Sequence, residues 1–352
     1  MKSSPKLLGI IVFIVAGITT AGTAHAAFGC YDPGPYPDVY RLSMVNGEIH
    51  ALLEPDFTKL RGPGPHINPV AVKQPGKGWS LTLEQCNGAY CQDAYKIEQP
   101  CPVSIDLPVL TLKEFKKYHP GDDTSGTTVQ AFGQSPSSCV VNRGIVWFGV
   151  GYFCDEESCQ GVGGVGRYDN QTGAVEIRYP EALINSVVSP IIDDGNFLWV
   201  GTYASGDCLG SDPTEGLARY DWAKKSLVTF AAGTDSHHNP NGPCGIQFHD
   251  FLLTKEGLWV SSDFGLAFLS NPDAAPEDMH WVNFVPVGSG DTGKIVEMSC
   301  ANIFAHLLKT LPHNDMNGAD EDLGHYQQLV RTLRQFNPVL LQRLEAEGEQ
   351  HP

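Results

Sequence analysis

The feature that most constrains the fold is an internal repeat that occupies residues 144–230. Each of its two copies holds an apolar strand around a tryptophan, Trp147 or Trp199, followed by an insert and a second strand that ends in Arg-Tyr-Asp. A turn and a third strand come next, and a further strand precedes each copy, as in residues 186–192. Four-stranded units that recur every ~40–50 residues are typical of the blades of a β-propeller.

Two fainter copies flank this repeat. Downstream, the strand around Trp259 leads into a hairpin with almost no insert. Upstream, Trp79 and the next repeat tryptophan are each followed by two cysteines at the same offsets. The cysteines are Cys86 and Cys91 after Trp79, and Cys154 and Cys159 after Trp147. This shared spacing predicts that the Trp79 strand is equivalent to the Trp147 strand.

The repeats predict an all-β chain in the form of a β-propeller, with five blades favoured and four to six possible. Alternating residues indicate strands in 39–44 and 47–53, which we expect to complete a blade with the opposite end of the chain, because a ring must join its first and last units. Apolar residues at helical spacing in 296–311 and 323–347 predict a C-terminal helical tail that packs on the propeller. The expected organisation is therefore a signal peptide (1–26), a disulfide-stapled propeller (27–288) and the tail (289–352).

The first 26 residues have the pattern of a secretory signal peptide. Lys2 and Lys6 precede an apolar run, and Ala24-His25-Ala26 supplies small residues for cleavage. The apolar run is shorter than the ~20 residues that a membrane-spanning helix needs, and the residues before Cys30 are a poor approach to a lipidated cysteine. We therefore predict an exported protein, periplasmic or secreted, without a stable membrane anchor.

The charge of the chain limits its partners. The formal net charge is −17 at pH 7. Nucleic acids and anionic lipid surfaces attract basic proteins, so a strongly acidic chain is a poor candidate for binding either of them. The expected partners are a protein or a small-molecule ligand.

All ten cysteines follow the predicted signal peptide. An even number of cysteines in an oxidising compartment favours disulfides over metal thiolates. The sequence alone does not determine the longer pairings, which we choose from adjacent-blade loops and from the place where the ring must close. The predicted bonds are two short hairpin staples and two longer links: Cys86–Cys91, Cys154–Cys159, Cys208–Cys244 and Cys30–Cys300.

One face of the predicted propeller carries the long loops. Loops between the second and third strands of a blade emerge on the same face as loops between blades, and here both sets are long and polar. Turns on the opposite face, such as residues 169–173, are tight. Long loops on a rigid scaffold are where binding sites are usually placed. The candidate ligand-binding residues lie on or next to these loops: His66, Asp122, Asp123, Tyr152, Asp155, Tyr203, Asp235, His237 and His238.

The densest polar cluster on this face is residues 235–240, which contain His237 and His238. Neighbouring side chains on an extended backbone diverge, so we expect solvated loop histidines and not a shared metal ion. A metal-binding or acid–base role with Asp122, Asp123 or Asp155 is the alternative. The sequence contains no Gly-x-Ser-x-Gly, nucleotide-binding loop or His-Glu-x-x-His motif, and no catalytic residue is predicted.

The repeats resemble those of two known families. The Leu-Trp-Val-Gly-Thr … Gly-Leu-Ala-Arg-Tyr-Asp pattern of residues 198–221 resembles propeller repeats in periplasmic sensor regions of bacterial two-component regulators. The Val-Trp-Phe … Val-Gly-Arg-Tyr-Asp-Asn-Gln-Thr-Gly-Ala-Val copy of residues 146–175 is similar to repeats of the streptogramin (virginiamycin B) lyase family. The first resemblance implies an exported ligand-binding module. The second implies metal-assisted elimination by a His/Glu pair, which no position of this chain matches.

Two functional hypotheses remain. The first is an exported propeller that binds a protein or small-molecule ligand on its long-loop face and needs no cofactor. The alternative is a metal-assisted lyase or hydrolase of the streptogramin-lyase-like type, which would need a divalent metal ion. The matching positions are those that build a blade, so the resemblance is specific for fold and weak for function. Metal analysis of the protein and of the variants His237→Ala and His238→Ala distinguishes the two.

Overall fold

The structure, a computed structural model, describes residues 39–53, 66–86, 101–121, 131–132, 134–154, 159–204, 216–235, 242–287, 294–310 and 325–349. Most of these residues lie in β-strands that form antiparallel sheets. Within these ranges no helix combines the length and the apolar composition that a membrane crossing requires.

In the described part of the chain, four antiparallel sheets of four or five strands succeed one another, and a single residue pair, Val187 with Gly151, links the second to the third. Sheet 1 contains four strands, β1 to β4: Val39–Val45, Glu48–Leu53, His66–Lys73 and Trp79–Cys86. Sheet 2 contains β7 to β10: Pro136–Asn142, Ile145–Cys154, Cys159–Asp169 and Val175–Arg178. Sheet 3 contains β11 to β15: Ser186–Asp193, Leu198–Ala204, Leu217–Asp221, Ser226–Ala231 and Thr234–Asp235. Sheet 4 contains β16 to β20: Phe248–Thr254, Gly257–Ser262, Gly265–Leu269, Trp281–Val287 and Lys294–Glu297.

A short helical segment lies between sheets 1 and 2. The strands β5 (Leu110–Thr111) and β6 (Ala131–Phe132) pair, and α1 (Leu112–Tyr118) begins between them. Thr111 and Glu114 form a capping box that satisfies backbone N–H groups at the start of α1. Phe115 on this helix is fully buried. This helix is absent from the predicted organisation, although its Thr-x-x-Glu spacing is a helix-start signal in the sequence.

The first strands of the sheets lie side by side. β11 packs against β7 on one side and β16 on the other, and β1 packs against β16. Sheet 1 therefore lies next to sheet 4 in space. Their shared core contains Val39, Leu42 and Ala51 together with Trp259 and Leu266. This adjacent arrangement of sheets agrees with a propeller-like organisation, while the number of blades and the closure of a ring stay predictions.

Two expectations about the first sheet are wrong. The strands in residues 39–53 do not complete a sheet with the far end of the chain, because they pair with each other and with β3. Trp79 begins the fourth strand of its sheet, whereas Trp147, Trp199 and Trp259 lie in second strands. Trp79 packs edge-on against Trp259, with ring centroids 5.5 Å apart. The apolar pattern around Trp79 therefore indicates a strand correctly, but not the position of that strand in the sheet.

The sheets have two structurally distinct ends. The strands β1, β7, β11 and β16 all begin at one end of the sheets, and the connections between second and third strands lie there too. We call this end the loop end. The opposite end, which holds the tight turns around residues 169–175 and 221–226, is the turn end. The predicted long-loop face corresponds to the loop end.

Three helices pack on the loop end: α2 (Cys300–Thr310), α3 (His325–Phe336) and α4 (Pro338–Glu349), which we call the helical cap. Their apolar side chains, including Phe304 and Leu333, share a buried core with Cys244 and Phe264 from loop-end connections of the sheets. Asn337 Nδ2 donates a hydrogen bond to the Ala232 carbonyl at 3.0 Å. The expectation that the tail packs on the sheets is confirmed. Its first residues differ from the prediction, because 294–297 form the last strand of sheet 4.

Candidate functional site

A β-bulge interrupts the first strand of every one of the four sheets near the loop end. The extra residues are Tyr40 in β1, Ser137 in β7, one residue of the Ser189–Pro190 pair in β11, and His249 in β16. A bulge locally redirects side chains, and bulges are common beside functional sites. All four sheets therefore redirect a polar residue at equivalent positions of adjacent strands.

Contacts between neighbouring strands connect these bulges. The Tyr40 ring stacks on the His249 imidazole with centroids 5.2 Å apart and planes at 24°. Ser137 Oγ donates a hydrogen bond to the Val188 carbonyl, which precedes the bulge in β11. The bulge residues Tyr40, Ser137, Ser189 and His249 thus belong to one belt across the four sheets, which we call the bulge belt.

Gly149 in β8 and Gly201 in β12 allow the first strand of the next sheet to approach closely. A Cβ atom built on Gly149 would lie 1.9 Å from the carbonyl oxygen of Val188 in the next sheet. A Cβ on Gly201 would lie 3.0 Å from the carbonyl oxygen of Phe248, again in the next sheet. Real Cβ atoms do not tolerate the first distance, so the glycine of each Trp-x-Gly motif is required by the packing of one sheet on the next.

The belt carries a buried pair of ionisable groups in β16. Burial lowers the pKa of His249 to about 4, although Asp263 and Asp250 act in the opposite direction. Burial raises the pKa of Asp250 to about 6, although hydrogen bonds from the Leu42 and Phe251 N–H groups oppose the change. Each of these bonds measures 2.8 Å. Desolvation disfavours the charged form of both groups, so His249 is neutral at pH 7.

Two hydroxyl groups beside the bulges are available for hydrogen bonding. Ser138 and Ser189 are fully buried. Neither hydroxyl has a hydrogen-bond partner within the part of the chain that the structure describes. Buried polar groups are nearly always hydrogen-bonded, to protein or to ordered water or a ligand. These serines therefore mark a polar position inside the belt.

A second aromatic group lies at the loop end of sheet 2. The His119 imidazole stacks on the Tyr152 ring with centroids 4.2 Å apart and planes at 15°. Phe115 contacts the same imidazole, with centroids 5.0 Å apart. His119 is buried, while Tyr152 is half-buried and directly follows a register shift in the pairing of β8 with β9.

The predicted binding residues are distributed over several strands. Tyr152 and Tyr203 are half-buried at the loop ends of β8 and β12, whereas Asp235 is buried in β15. His66 begins β3, opposite Cys86. The remaining candidates lie outside the described residues: Asp122, Asp123, Asp155, His237 and His238.

Within the described ranges, no group of three or more His, Cys, Asp or Glu side chains could hold a metal ion. The two histidines on which the metal-dependent alternative depends are His237 and His238, outside those ranges. The metal-binding hypothesis therefore stays a prediction from the sequence.

Sequence reasoning missed most of the bulge belt. Bulges have no fixed sequence signature, and Tyr40, Ser137 and Ser189 each precede or follow ordinary strand residues. A usable signal is the glycine two residues after Trp147 and Trp199, because it indicates a close approach of another backbone.

The cysteine pairings differ from the prediction. The structure contains a disulfide between Cys101 and Cys139, with Cα atoms 4.9 Å apart, which is not among the predicted bonds. Cys244 and Cys300 are free thiols, so neither Cys208–Cys244 nor Cys30–Cys300 is formed. The start of α2 instead packs directly on the loop that contains Cys244. Their other halves, Cys208 and Cys30, lie outside the described residues, as does Cys91.

The Cys154–Cys159 disulfide of the β8–β9 hairpin remains a prediction, and the backbone of this hairpin is suitable for it. Cys154 and Cys159 are Cα partners at the end of the β8–β9 ladder. Directly opposed residues of an antiparallel pair have Cα atoms about 4.5–5.5 Å apart, which is within the range that a disulfide spans.

No family model and no curated protein matches the chain. Among solved structures, it is similar to the extracellular domain of a protein described as a hybrid two-component system from B. thetaiotaomicron, with 15% identity over 71% of this chain and a TM-score of 0.28. The chain spans 28% of the length of that structure. It is also similar to a GH43 β-xylosidase/α-arabinofuranosidase from a compost microbial metagenome, solved with xylotriose in a calcium-free form, with 9% identity over 74% of this chain and 91% of the other, and a TM-score of 0.25. At these TM-scores neither similarity carries an argument about this chain.

Proposed function

We propose that this protein is an exported binding module that takes a protein or small-molecule ligand at its loop end, next to the bulge belt. The observation that carries the proposal is the convergence of polar bulges from four sheets at one end of the molecule, with the buried Ser138 and Ser189 hydroxyls beside them. Ligand sites combine a largely apolar surround with a few placed polar groups, and this belt has that composition.

The aromatic side chains at the loop end supply the apolar part. Tyr40 stacks on His249, and Tyr152 stacks on His119. Such rings offer flat contact area together with a polar tip, which suits recognition of ligands that are partly polar. The helical cap covers the loop end over sheets 3 and 4, so the proposed ligand approaches mainly from the side of sheets 1 and 2.

Export is part of the proposal. The Cys101–Cys139 disulfide supports it, because structural disulfides persist mainly in oxidising compartments. The predicted signal peptide lies outside the described residues and gives independent, sequence-based support.

A photo-crosslinking experiment tests the proposal without knowledge of the ligand. A photoreactive aromatic amino acid is placed at Tyr152, at the loop end of β8 in sheet 2, and as a matched control at Gln171, which is exposed in a turn-end hairpin of the same sheet. We expect a defined adduct at position 152, seen as a mass increase of the exported protein and suppressed by excess unmodified protein. Equal adducts at both positions, or none at 152, would contradict a loop-end site.

A further inference from the structure

Two thiols meet where the helical cap joins the loop end. Cys244 is fully buried in the residues that precede β16, and the half-buried Cys300 begins α2. The Cys244 thiol hydrogen-bonds the Cys300 side chain. Burial is the largest cause that raises the pKa of Cys244, and the neighbouring Cys300 and Asp263 act in the same direction.

A single asparagine holds both cysteines in place. Asn283 Oδ1 accepts a hydrogen bond from the Cys244 N–H at 2.8 Å, and Asn283 Nδ2 donates to Cys300 Sγ at 3.5 Å. Asn283 itself is buried in β19. One rigid amide therefore fixes the backbone of one cysteine and the sulfur of the other.

The surroundings leave the thiols little freedom to separate. A Cβ atom built on Gly233 would lie 2.9 Å from Cys300 Cβ and 3.0 Å from its sulfur. Ser299 caps α2, since its hydroxyl accepts from the Asn302 N–H at 3.3 Å. Phe304 on the next turn of α2 packs on Phe264, so the start of the helix is fixed from both sides.

We infer that Cys244 and Cys300 are a disulfide-forming pair that locks the helical cap to the loop end after export. The two cysteine side chains already interact across the boundary between a sheet and the cap, and both flanking segments are fixed. In the reduced form, packing and a few hydrogen bonds hold α2 on the loop end. In the oxidised form, a covalent bond fixes its first residue.

The reaction is an ordinary thiol–disulfide exchange with a disulfide oxidant, either a small molecule or an oxidoreductase. The Cys300 thiolate, as the more accessible of the two, attacks the oxidant disulfide, which releases one thiolate and leaves a mixed disulfide on Cys300. The Cys244 thiolate then attacks Cys300 Sγ and releases the second oxidant thiolate. Both cysteine protons pass to solvent or to the released thiolates, and two electrons reduce the oxidant.

This inference does not depend on the proposed ligand site. It concerns how the cap is attached, so a protein that binds nothing at its loop end would still form the bond. Conversely, a failure to form the bond would leave the bulge belt unaffected.

Peptide mapping of wild-type protein from the oxidising compartment, unfolded in the presence of excess alkylating reagent and digested without reductant, tests the pairing. We expect a linked peptide that contains Cys244 and Cys300 and separates on reduction. Recovery of either cysteine as an alkylated free thiol in most molecules, or its linkage to Cys208 or Cys30, would overturn the inference. The mapping needs no variant, so its result does not depend on how well a mutant folds.

Hydrogen exchange tests the consequence for the cap. We expect the amides of α2 to exchange slower by roughly an order of magnitude or more in oxidised wild-type protein than in Cys300→Ser. Without the disulfide, local opening of the cap breaks only non-covalent contacts, so the α2 amides of the variant are exposed more often. Amides of β12 in sheet 3 serve as the internal control and should exchange alike in both proteins. Equal exchange of α2 in the two proteins would show that the bond does not lock the cap.

Discussion

At the turn end, acidic side chains accept backbone hydrogen bonds in the open, whereas at the loop end an acidic side chain is buried. Asp169 accepts from two backbone N–H groups of its turn, and these bonds lower its pKa. Asp221 likewise accepts from the Lys224 N–H, and its pKa is lowered. Asp250 accepts two N–H bonds as well, yet burial raises its pKa to about 6. The same interaction therefore has opposite net results, and burial decides the sign.

The two ends of one repeated architecture therefore differ in how far their acidic groups are buried. At the turn end, an arginine side chain links two neighbouring sheets. Arg219 lies over the Phe197 ring at 4.3 Å and donates to the Pro272 and Ala274 carbonyls of sheet 4, at 2.9 and 2.6 Å. The loop end instead concentrates buried groups with altered ionisation and available hydroxyls. Such groups occur preferentially at functional sites.

The largest effect on stability should come from adding a methyl group at the close contact between sheets 2 and 3 near the loop end. Gly149→Ala places a methyl group 1.9 Å from the Val188 carbonyl oxygen, so sheets 2 and 3 must separate. We expect a loss of about 4 kcal/mol in the free energy of unfolding, at the upper end of overpacking effects. Urea unfolding of the purified variant measures this loss.

Gly173→Ala, in the tight turn between β9 and β10, is the matched control. Its φ is +70°, and nothing lies within 4 Å of the added Cβ, so only the backbone preference is lost. We expect a cost of about 1 kcal/mol. Equal losses in the two variants would mean that the ends do not differ in packing.

The second effect concerns pH. His249 has a folded-state pKa of about 4 against an ordinary value of 6.5, so the unfolded chain binds a proton first and stability falls as the pH drops from about 7 to 4. Asp250 has a folded-state pKa of about 6 against 3.8, so the folded chain binds a proton first and stability rises as the pH drops from about 6 to 4. In the wild-type protein these two contributions oppose each other.

Asp250→Asn removes the opposing contribution. Its free energy of unfolding should fall by about 3 kcal/mol more than that of the wild type between pH 7 and pH 4, since a shift of two pKa units corresponds to about that energy. His249→Gln should show the reverse, a relative gain on acidification. Parallel pH profiles for all three proteins, measured by urea unfolding, would refute the assigned burial of this pair.

The smallest effect distinguishes two arginines of the repeat. Arg219→Ala removes a buried guanidinium from two carbonyl groups and should cost about 2 kcal/mol. Arg167→Ala is the matched change in sheet 2, where the side chain is 42% exposed and pairs with Glu176 at 2.8 Å. Exposed ion pairs contribute about 0–1 kcal/mol, so this variant should unfold almost like the wild type. A larger loss for Arg167→Ala would contradict this ranking.

Much of the strand pattern can be read from the sequence, because a period-2 apolar pattern and a repeated Trp-x-Gly are local signals. The helices of the tail are predictable for the same reason, including the interruption at Pro338, which separates α3 from α4. The place of Trp79 in its sheet is not predictable, since inner and outer strands share one pattern and only the pairing of β1 to β4 distinguishes them.

The candidate site is much less accessible to sequence reasoning. The sequence-based predictions select polar residues in long loops as binding residues. The bulge belt is instead built from residues inside first strands. Asp250 is identified by its bond to Leu42, which is 208 residues away along the chain. The Cys244–Cys300 contact likewise depends on how α2 returns to the loop end, and spacing in the sequence does not encode it.

The junction of sheet 1 with sheet 4 has a consequence for how the chain acquires its fold. Sheet 1 is complete by residue 86, but its apolar partners Trp259 and Leu266 belong to the last sheet. An emerging chain must therefore keep the apolar face of its first sheet uncovered until almost all of the polypeptide has appeared. Contacts of such long range form slowly, and exposed apolar strands associate with one another meanwhile. We therefore expect a persistent demand for a holding chaperone during biogenesis, which would end when the last sheet docks on the first.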